Sequence, residues 1–396
     1  MTRESTTVAI AGGGPAGLML GTLLARQGVD VIVLEKHADF LRDFRGDTVH
    51  PSTIEVMHEL GWAIEFLELP HRKMERVTMG TPDGLLTIAD FRRLRVRSPY
   101  VAFMPQWDFL DFLVRKASAY DGFRLIRRAE VTDLVSEGGR VVGVRAETAD
   151  GPLEVRAELV VSAEGRNSTL REVAGLTPAA VAPGIDVFWF RVSRRTDETA
   201  PFFQSGPGGS LVAVDRGTYW QLAYAFPKGE AEAIEARGIQ AFRDQVAVLL
   251  PMLADRLDEI TTFGEDIHLL SVRIDRLTQW YQPGLLFIGD AAHAMSPAGG
   301  VGINLAIQDA VAAANLIGPA ARNGGIGVDV LQKVQRRRTF PATVTQRFQA
   351  SVIKGLYAED VPFFLRVLRS VPVLTRLTGR FIGLGVRPEH VAPLPE

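Results

Sequence analysis

The residues best suited to chemistry in this sequence are three glycines and one acid near its beginning. Gly12, Gly14 and Gly17 form a Gly-x-Gly-x-x-Gly pattern, and Glu35 ends the next apolar run. Glycines at this spacing permit a tight turn and let the backbone approach a pyrophosphate, while a helix that begins there offers free N–H groups to the phosphates. A carboxylate at the position of Glu35 can accept hydrogen bonds from ribose hydroxyls. The pattern therefore predicts a dinucleotide site.

The elements that must position this pattern lie directly on either side of it. Val8–Ala11 is a short apolar run typical of a buried parallel strand, Leu18–Ala25 has the character of a helix, and Val29–Leu34 is a second buried strand. Strand, glycine turn, helix, strand and acid within about 30 residues form a dinucleotide-binding unit. The unit alone does not distinguish NAD from FAD.

Two later strands also end in glycine turns. Leu159–Ala163 leads into Glu164-Gly165, and Leu285–Ile288 leads into Gly289-Asp290. A loop of small residues follows the second of these turns, and a helix is predicted to begin near Gly302. Because ligands bind at the carboxyl ends of parallel strands, we expect all three glycine turns to open onto one crevice.

The middle of the chain has a different pattern. Residues 184–273 contain strand candidates with many aromatic residues, then an amphipathic helix over 238–249 and a shorter one over 253–260. This layout predicts a mostly antiparallel sheet inserted between two α/β stretches. We expect the substrate site on this inserted sheet.

Composition narrows the class of protein. The 396 residues carry a formal net charge of −2 and include no cysteine, so no basic field for nucleic acid, no disulfide and no thiolate chemistry is predicted. The seven histidines show no metal-ligand spacing, and no metal site is predicted. With no signal peptide and no uninterrupted apolar run of about 18 residues, we expect a cytoplasmic enzyme without a membrane span.

Taken together, the motifs resemble those of the single-component, group A FAD-dependent aromatic hydroxylases, the para-hydroxybenzoate hydroxylase type. The resemblance covers residues 8 to about 316 and is most specific in Gly289-Asp290 followed by Pro297 and Gly299 to Leu305. It implies an α/β fold with a Rossmann-like FAD-binding domain, an inserted substrate-domain sheet and a C-terminal helical segment. One departure is Glu164, which stands where the family has aspartate and puts that motif's part in pyridine-nucleotide handling in question.

The resemblance also implies a division into domains. The FAD-binding domain would comprise residues 1–75, 102–182 and 272–340, and the substrate-binding domain residues 76–101 and 183–271. Residues 341–396 would form the C-terminal helical region. Its apolar stretch is expected to pack on the flavin domain or on a second subunit in a homodimer, the alternative being a surface for an apolar carrier or a membrane.

The site residues follow by matching the family's motifs. Pro297 and Gly300 would lie against the oxygen side of the flavin ring, and we assign no acid or base. Arg45 would reach over the pyrophosphate, Gln106 would contact the ribityl chain, and Asp290 would bind a ribityl hydroxyl. The full set of expected FAD contacts is Gly12, Gly14, Ala16, Gly17, Glu35, Lys36, Arg45, Gln106, Gly165, Asp290, Gly302, Ile303 and Asn304.

Substrate contacts are inferred from the strand over residues 219–226. Trp220, Leu222 and Tyr224 share one face by the period of two, and Tyr219 and Gln221 face the other way. We predict that the first set contacts substrate, although the period does not show which face meets the flavin. Arg191 and Arg216 have two interpretations, as partners of a substrate carboxylate or as ordinary exposed arginines, of which the second is the commoner. The abundance of aromatic residues favours a planar or polycyclic substrate.

The resemblance implies the reaction as well. NADH or NADPH would bind transiently and reduce FAD, O2 would add to flavin C4a, and the resulting hydroperoxide would hydroxylate an aromatic ring. Two enzyme alternatives keep the fold: a reductase or dehydrogenase, and a halogenase, although the halogenase Trp-x-Trp-x-Ile-Pro run is absent. A flavin-binding or ligand-binding sensor without turnover is the alternative from another class.

Overall fold

The computed structural model of the protein describes residues 1–41, 47–81, 84–182, 184–206, 209–356, 371 and 373–394. The strands are β1 (Thr2–Ala11), β2 (Val31–Glu35), β3 (Thr48–Val49), β4 (Arg72–Met74), β5 (Arg76–Thr81), β6 (Gly84–Asp90), β7 (Val101–Phe103), β8 (Phe123–Arg127), β9 (Ala129–Glu137), β10 (Arg140–Thr148), β11 (Gly151–Ser162), β12 (Ala179–Ala182), β13 (Ile185–Ser193), β14 (Phe203–Gly206), β15 (Gly209–Asp215), β16 (Tyr219–Pro227), β17 (His268–Ser271), β18 (Ile274–Arg276), β19 (Tyr281–Gln282), β20 (Leu285–Phe287) and β21 (His293–Ala294). The α-helices are α1 (Pro15–Arg26), α2 (Pro51–Glu59), α3 (Ala63–Glu68), α4 (Gln106–Ala117), α5 (Thr169–Val173), α6 (Ala231–Ala236), α7 (Ile239–Leu249), α8 (Gly302–Arg322), α9 (Val328–Leu356) and α10 (Leu374–Leu384).

Five parallel strands form the centre of the molecule, in the order β20-β11-β1-β2-β8. Ala11 lies beside both Leu34 and Ser162, and Ser162 lies beside Phe287. Strands β2 and β20 and the carboxyl-terminal halves of β1 and β11 are apolar and buried on both faces, as central parallel strands are, whereas the edge strand β8 is partly exposed. Their carboxyl ends are level, so the turns that follow them open at one edge of the sheet.

A second sheet of seven strands has the order β17-β13-β16-β15-β14-β5-β6. It is antiparallel except where β14 runs parallel to β5. One face packs on α7 through a cluster that includes Phe188, Tyr224 and Phe242. The predicted fold class, a parallel α/β unit with an inserted, mostly antiparallel sheet, is confirmed.

Helix α8 belongs to the interior. By length and composition the segment Ala298–Arg322 could cross a membrane, but 78% of its most apolar window is buried inside the protein. There Ile307 and Val311 join Leu20 of α1 in the largest hydrophobic cluster. Its apolar composition is therefore that of a core helix.

The prediction of a shorter helix over residues 253–260 is wrong. The structure has two 3-10 turns instead, Pro251–Leu253 and Leu257–Glu259. Arg256 between them has φ −136°, which interrupts a helix, and its guanidinium binds Glu198 and the Met252 carbonyl. Leu253, Leu257 and Ile260 are buried as a helix would bury them, because short turns at this spacing also direct these side chains inward.

The C-terminal region packs on its own chain where the structure describes it. Helix α10 contacts β6 and α2, and Gly379 approaches so closely that a Cβ there would lie 2.3 Å from the Asp90 carbonyl oxygen. The remainder of the predicted apolar stretch, residues 357–370 and 372, lies outside the described residues.

A buried group of charges ties the carboxyl end of β20 to helices α8 and α9. Asp309 is fully buried, and its carboxylate accepts hydrogen bonds from Arg338 Nε at 2.8 Å, His293 Nε2 at 2.6 Å and the Gly289 N–H at 3.0 Å. Arg338 also donates to Glu389 at 3.1 Å. Burial acts to raise the pKa of Asp309, but His293 and Arg338 outweigh it, and this pKa is lowered.

We predict that Asp309→Asn lowers the free energy of unfolding by about 3 kcal/mol, because it removes one of the two carboxylates that pair with the buried Arg338 and leaves Glu389 as the other. Urea unfolding of the apoprotein at pH 7 measures the effect. Since the pKa of Asp309 is lowered on folding, its contribution is present above the ordinary carboxyl pKa of 3.8 and is lost as the pH falls through the folded value. Asp329→Asn, which removes an exposed pair with Lys333, is the control and should leave stability unchanged; equal losses in both variants would contradict the prediction.

Candidate active site

The turn after β1 is built so that only glycine fits. Gly12 has φ +105°, and a Cβ there would lie 2.5 Å from the Ala163 carbonyl oxygen. A Cβ on Gly17 would lie 1.9 Å from the Gly12 carbonyl oxygen, so helix and turn can pack this closely only without side chains. Gly14 faces open space, and α1 begins there with no side-chain cap and no acid in its first turn. Its first N–H groups therefore remain available to an anion.

Glu35 lies beside this turn at the end of β2. Its carboxylate accepts from the Gly13 N–H at 2.9 Å and from the His37 N–H at 3.0 Å, and the residue is 8% exposed. Two backbone donors fix the orientation of this carboxylate, which lines the cavity beside the glycine turn. Lys36 lines the same cavity.

At the end of β11, the side chain of Glu164 holds the following turn in place. Its carboxylate accepts from the hydroxyls of Ser162 and Ser168 at 2.8 and 2.6 Å, and from the Thr169 and Leu170 N–H groups at 3.2 Å. The side chain thus folds back and caps α5, a use of its carboxylate that sequence reasoning did not reveal. Gly165 follows with φ +85° and lines the cavity.

The third strand end brings Asp290 to the same edge. Gly289 adopts φ +59°, and the Asp290 carboxylate lies 3.4 Å from Arg166 Nη2. Both side chains are about a quarter exposed and both line the cavity. The structure therefore joins the second and third glycine turns through an ion pair.

A loop of small residues, Pro297–Val301, separates this edge from the second sheet. Gly299 and Gly300 adopt φ +81° and +63°, and a Cβ on Gly300 would lie 2.5 Å from Thr48 Oγ1. Gln349 of α9 supports the loop by donating to the carbonyls of Ser296 and Ala298. Helix α8 begins directly afterwards, so its first N–H groups, from Gly302 onward, have no partners within the helix.

Residues before and within α2 hold this loop from the other side. The Gly300 carbonyl accepts from Thr48 Oγ1 at 2.8 Å and lies 2.9 Å from His50 Nε2. Burial lowers the pKa of His50 to about 4, although the carbonyls of Gly300 and Ile382, which its two ring nitrogens face, oppose the shift. Ser52 and Thr53 donate to the Asn304 side-chain oxygen at 2.6 and 2.8 Å, which directs that side chain toward α2. Sequence reasoning missed Thr48, His50 and Gln349.

Most of the expected FAD contacts line one continuous cavity of about 1560 Å³. Gly17 and Asn304 lie behind the wall, where they shape it, and Arg45 lies outside the described residues. The expected FAD contacts that line the cavity are Gly12, Gly14, Ala16, Glu35, Lys36, Gln106, Gly165, Asp290, Gly302 and Ile303. Pro297 and Gly300, expected on the oxygen side of the flavin ring, line it too.

Beyond the Pro297–Val301 loop, the cavity continues over the second sheet. Its wall there is made by side chains from three adjacent strands, β13, β16 and β15, and most of them are small or aliphatic. These residues are Val187, Trp189, Val212, Val214, Gln221, Ala223 and Ala225. Phe103, Phe202 and Phe203 line the cavity as well.

Trp220, Leu222 and Tyr224, which were predicted to contact substrate, do not line this cavity. All three are at most 3% exposed and belong to the cluster behind the sheet, where Tyr224 meets Phe242 edge-on at 5.4 Å. Because alternate residues face opposite sides, the cavity receives Gln221, Ala223 and Ala225 instead. Arg191 is exposed and does not line the cavity.

The polar end of the cavity over the second sheet consists of Asp47, Arg216 and Gln221. The Arg216 guanidinium donates to the Asp47 carboxylate and, through Nε, to Gln221 Oε1 at 2.7 Å. Burial raises the pKa of Asp47 to about 6, although Arg216 opposes the shift. Arg216 is therefore already paired with an anion.

These features suit FAD. Free N–H groups at the start of α1 and the carboxylate of Glu35 suit a pyrophosphate and a ribose, and a second unpaired helix start lies at the far end, at α8. The cavity joins the two in one elongated space. Donors, acceptors and shape thus match a nucleotide joined to a ring system.

Comparisons with known proteins give the same family. An FAD-binding domain family matches residues 5–347. The 6-methylpretetramide 4-monooxygenase of Streptomyces rimosus is 31% identical over 352 residues, covering 88% of this chain and 84% of the relative. The rifampicin monooxygenase of Streptomyces venezuelae is 31% identical over 76% of this chain and 62% of its own length.

A solved structure, the OxyS anhydrotetracycline hydroxylase from Streptomyces rimosus, superposes with a TM-score of 0.76 at 25% identity, covering 97% of this chain and 77% of that one. A phospholipid reductase and two flavin-dependent halogenases are also similar, but only at 18–24% identity. The chain therefore belongs to the FAD-binding domain family and is an FAD-dependent monooxygenase of the single-component aromatic hydroxylase type.

Proposed function

We propose that this monooxygenase hydroxylates a planar, polycyclic aromatic molecule that carries a ring hydroxyl. The observation that carries the proposal is the cavity wall formed by Ala223, Ala225, Val212 and Val187 in a cavity of about 1560 Å³. Small and aliphatic side chains on three adjacent strands make this wall apolar, which suits the face of a fused-ring molecule. Three phenylalanines and Trp189 around it offer further contacts to an aromatic ligand.

The relatives support this substrate class. Their names specify 6-methylpretetramide, rifampicin and anhydrotetracycline, all large fused-ring or aromatic molecules. The polar end of the cavity, at Arg216 and Gln221, would orient such a molecule by its oxygen substituents.

We propose the following placement for the cofactor. The start of α1 and the glycine turn would hold the pyrophosphate, Glu35 the adenosine ribose, and Asp290 with Gln106 the ribityl chain. The Pro297–Val301 loop and the start of α8 would face the flavin ring, where the helix N-terminus stabilises negative charge. When bound, FAD reduced by NAD(P)H activates O2 for insertion into the ring.

A cytoplasmic location fits this need for NAD(P)H. The homodimer stays a prediction.

Glu35→Gln should weaken FAD binding about 10- to 150-fold, because charge-assisted hydrogen bonds contribute about 1.5–3 kcal/mol. Titration of apoprotein with FAD, followed by flavin fluorescence, gives the Kd. Asp30→Asn, at the exposed opposite end of β2, is the matched control. Unchanged affinity in Glu35→Gln would contradict the assigned role.

The reaction is tested by incubating the holoenzyme with NADH or NADPH, O2 and aromatic compounds of increasing ring number. We expect polycyclic phenols to accelerate NAD(P)H oxidation and to gain one oxygen atom by mass, and single-ring phenols to do so weakly. Oxygenated products from single-ring phenols alone would contradict the substrate class. NAD(P)H oxidation with a reduced product and no O2 uptake would indicate a reductase.

The cavity wall is tested by Ala223→Leu, which adds bulk to this wall. We expect KM for a polycyclic substrate to rise at least about tenfold while FAD content and the rate of flavin reduction by NAD(P)H without substrate stay unchanged. Ala223→Ser, which adds one small atom, is the matched control. An Ala223→Leu enzyme with wild-type KM would show that substrate binds elsewhere.

A further inference from the structure

Exposed arginines cluster in the turn that follows β6. Residues 91–99 include four arginines and no acidic residue, and all four arginines are exposed. They are Arg92, Arg93, Arg95 and Arg97. Arg92 pairs with Asp90 at 2.7 Å, whereas the other three have no ion pair with any residue that the structure describes. The turn therefore carries uncompensated positive charge in a chain whose formal net charge is −2.

Helix α10 packs directly against this turn. A Cβ on Gly383 would lie 2.9 Å from Leu94 Cδ1 and 3.2 Å from Phe91 Cδ1, so little room is left for a side chain there. Gly379, one helical turn earlier, approaches the Asp90 backbone in the same way. The helix and the turn are thus neighbours on one side of the protein.

The outward face of α10 combines apolar and basic side chains. Val373 and Leu377 are 54% and 64% exposed. Arg376 and Arg380 are exposed as well, and spacings of three, four and seven residues from Val373 place all four side chains on one face of the helix. Residues 371–388 contain no acid that could neutralise the two arginines from within this segment. The outward face is therefore basic and partly apolar.

Exposed arginines around apolar side chains match the chemistry of an anionic lipid surface. Guanidinium groups bond phosphates, and the negative potential of such a surface attracts them from solution. Apolar side chains between them can enter the boundary between head groups and acyl chains. A bilayer also needs no groove shaped to fit a helix, whereas a folded acidic partner must supply one. This side of the protein therefore suits a bilayer better than an acidic protein.

We propose that residues 91–99 and the outward face of α10 form an arginine surface that docks on anionic lipid bilayers. The arginines contact lipid phosphates, and Val373 and Leu377 enter the interfacial region, so the protein lies on the bilayer without spanning it. This inference goes beyond the proposed function and does not depend on it, because docking needs neither NAD(P)H nor an aromatic substrate.

The elements that carry the arginine surface also form part of the cavity wall. Ile88 of β6 and Ile382 of α10 line the cavity, and Val77 and Met79 of the neighbouring β5 line it as well. Docking therefore brings an apolar side of the cavity close to lipid, in which apolar ligands dissolve.

The test measures sedimentation of the FAD-loaded protein with lipid vesicles. One kind of vesicle contains phosphatidylglycerol and phosphatidylcholine in equal parts, and the other contains phosphatidylcholine alone. We expect the wild type to bind the anionic vesicles at least about tenfold more tightly than the neutral ones. Raising the ionic strength from about 0.05 M to about 0.5 M should weaken the anionic complex, because salt screens exposed charges.

The contribution of the arginines is tested by combining Arg93→Gln with Arg95→Gln. This double variant should bind anionic vesicles at least about tenfold more weakly than the wild type, because it removes two charges from the arginine surface. The matched control combines Arg237→Gln with Arg336→Gln, which removes the same charge from exposed positions on other elements. The control should bind as the wild type does.

The contribution of the apolar side chains is tested by Leu377→Gln. We expect it to weaken binding to anionic vesicles at least about threefold, because less apolar area enters the interfacial region. Val248→Gln, on α7 and equally exposed at 64%, is the control and should leave binding unchanged. Flavin absorbance and thermal unfolding establish that each variant is folded and retains FAD.

Three results would overturn the proposal: no binding to anionic vesicles, equal binding to neutral vesicles, or equal losses in the two arginine double variants. A wild type that binds poly-L-glutamate through Arg93 and Arg95 but binds no vesicle would assign the arginine surface to an acidic protein instead. The product assay is independent of these measurements. Oxygenated product without vesicle binding would contradict this inference alone, and vesicle binding without oxygenated product would contradict the proposed function alone.

Discussion

The level ends of the central parallel strands are the constraint on which the rest of the molecule depends. Ala11, Ser162 and Phe287 lie side by side, so three turns that are distant in sequence emerge at one edge. Each turn must then lead the chain away from the sheet without filling the cavity at its edge. Glycines with positive φ, Gly12, Gly165 and Gly289, allow this. The buried Asp309 fixes the third turn by accepting from the Gly289 N–H while pairing with Arg338. The contacts of Asp309 that stabilise the core thus also hold the third turn of the cofactor site in place.

In the second sheet, side chains that pack in the core and side chains that line the cavity alternate along each strand. On β16 the large side chains Trp220, Leu222 and Tyr224 pack against α7 and its neighbours, and the intervening Gln221, Ala223 and Ala225 face the cavity. The aromatic residues therefore stabilise the sheet, and the absence of bulk on its other face creates room for a ligand. The only described polar groups contributed to this wall by β16 and its hairpin, Gln221 and Arg216, lie at the end nearest the Pro297–Val301 loop.

Much of this could be predicted from the sequence, because glycine turns after apolar strands have few structural solutions. The Gly12, Gly165 and Asp290 turns and the Pro297–Val301 loop lie together as their motifs predict. The substrate face could not be predicted, since the period of two defines two faces of β16 without showing which one α7 covers. Asp47 and Arg216 are 169 residues apart, and no local pattern marks such a pair. Thr48 and His50 likewise act on Gly300 through contacts that only the fold creates.

The most direct test of the account is a crystal structure of the FAD-bound enzyme with a polycyclic phenol in the cavity. We expect the flavin ring to lie against the Pro297–Val301 loop and the fused rings to cover Ala223 and Ala225. The phenol oxygen should lie within hydrogen-bond distance of Arg216 or Gln221 at the polar end of the cavity. A ligand bound away from the β13-β16-β15 wall, or one whose phenol oxygen points away from this pair, would contradict it.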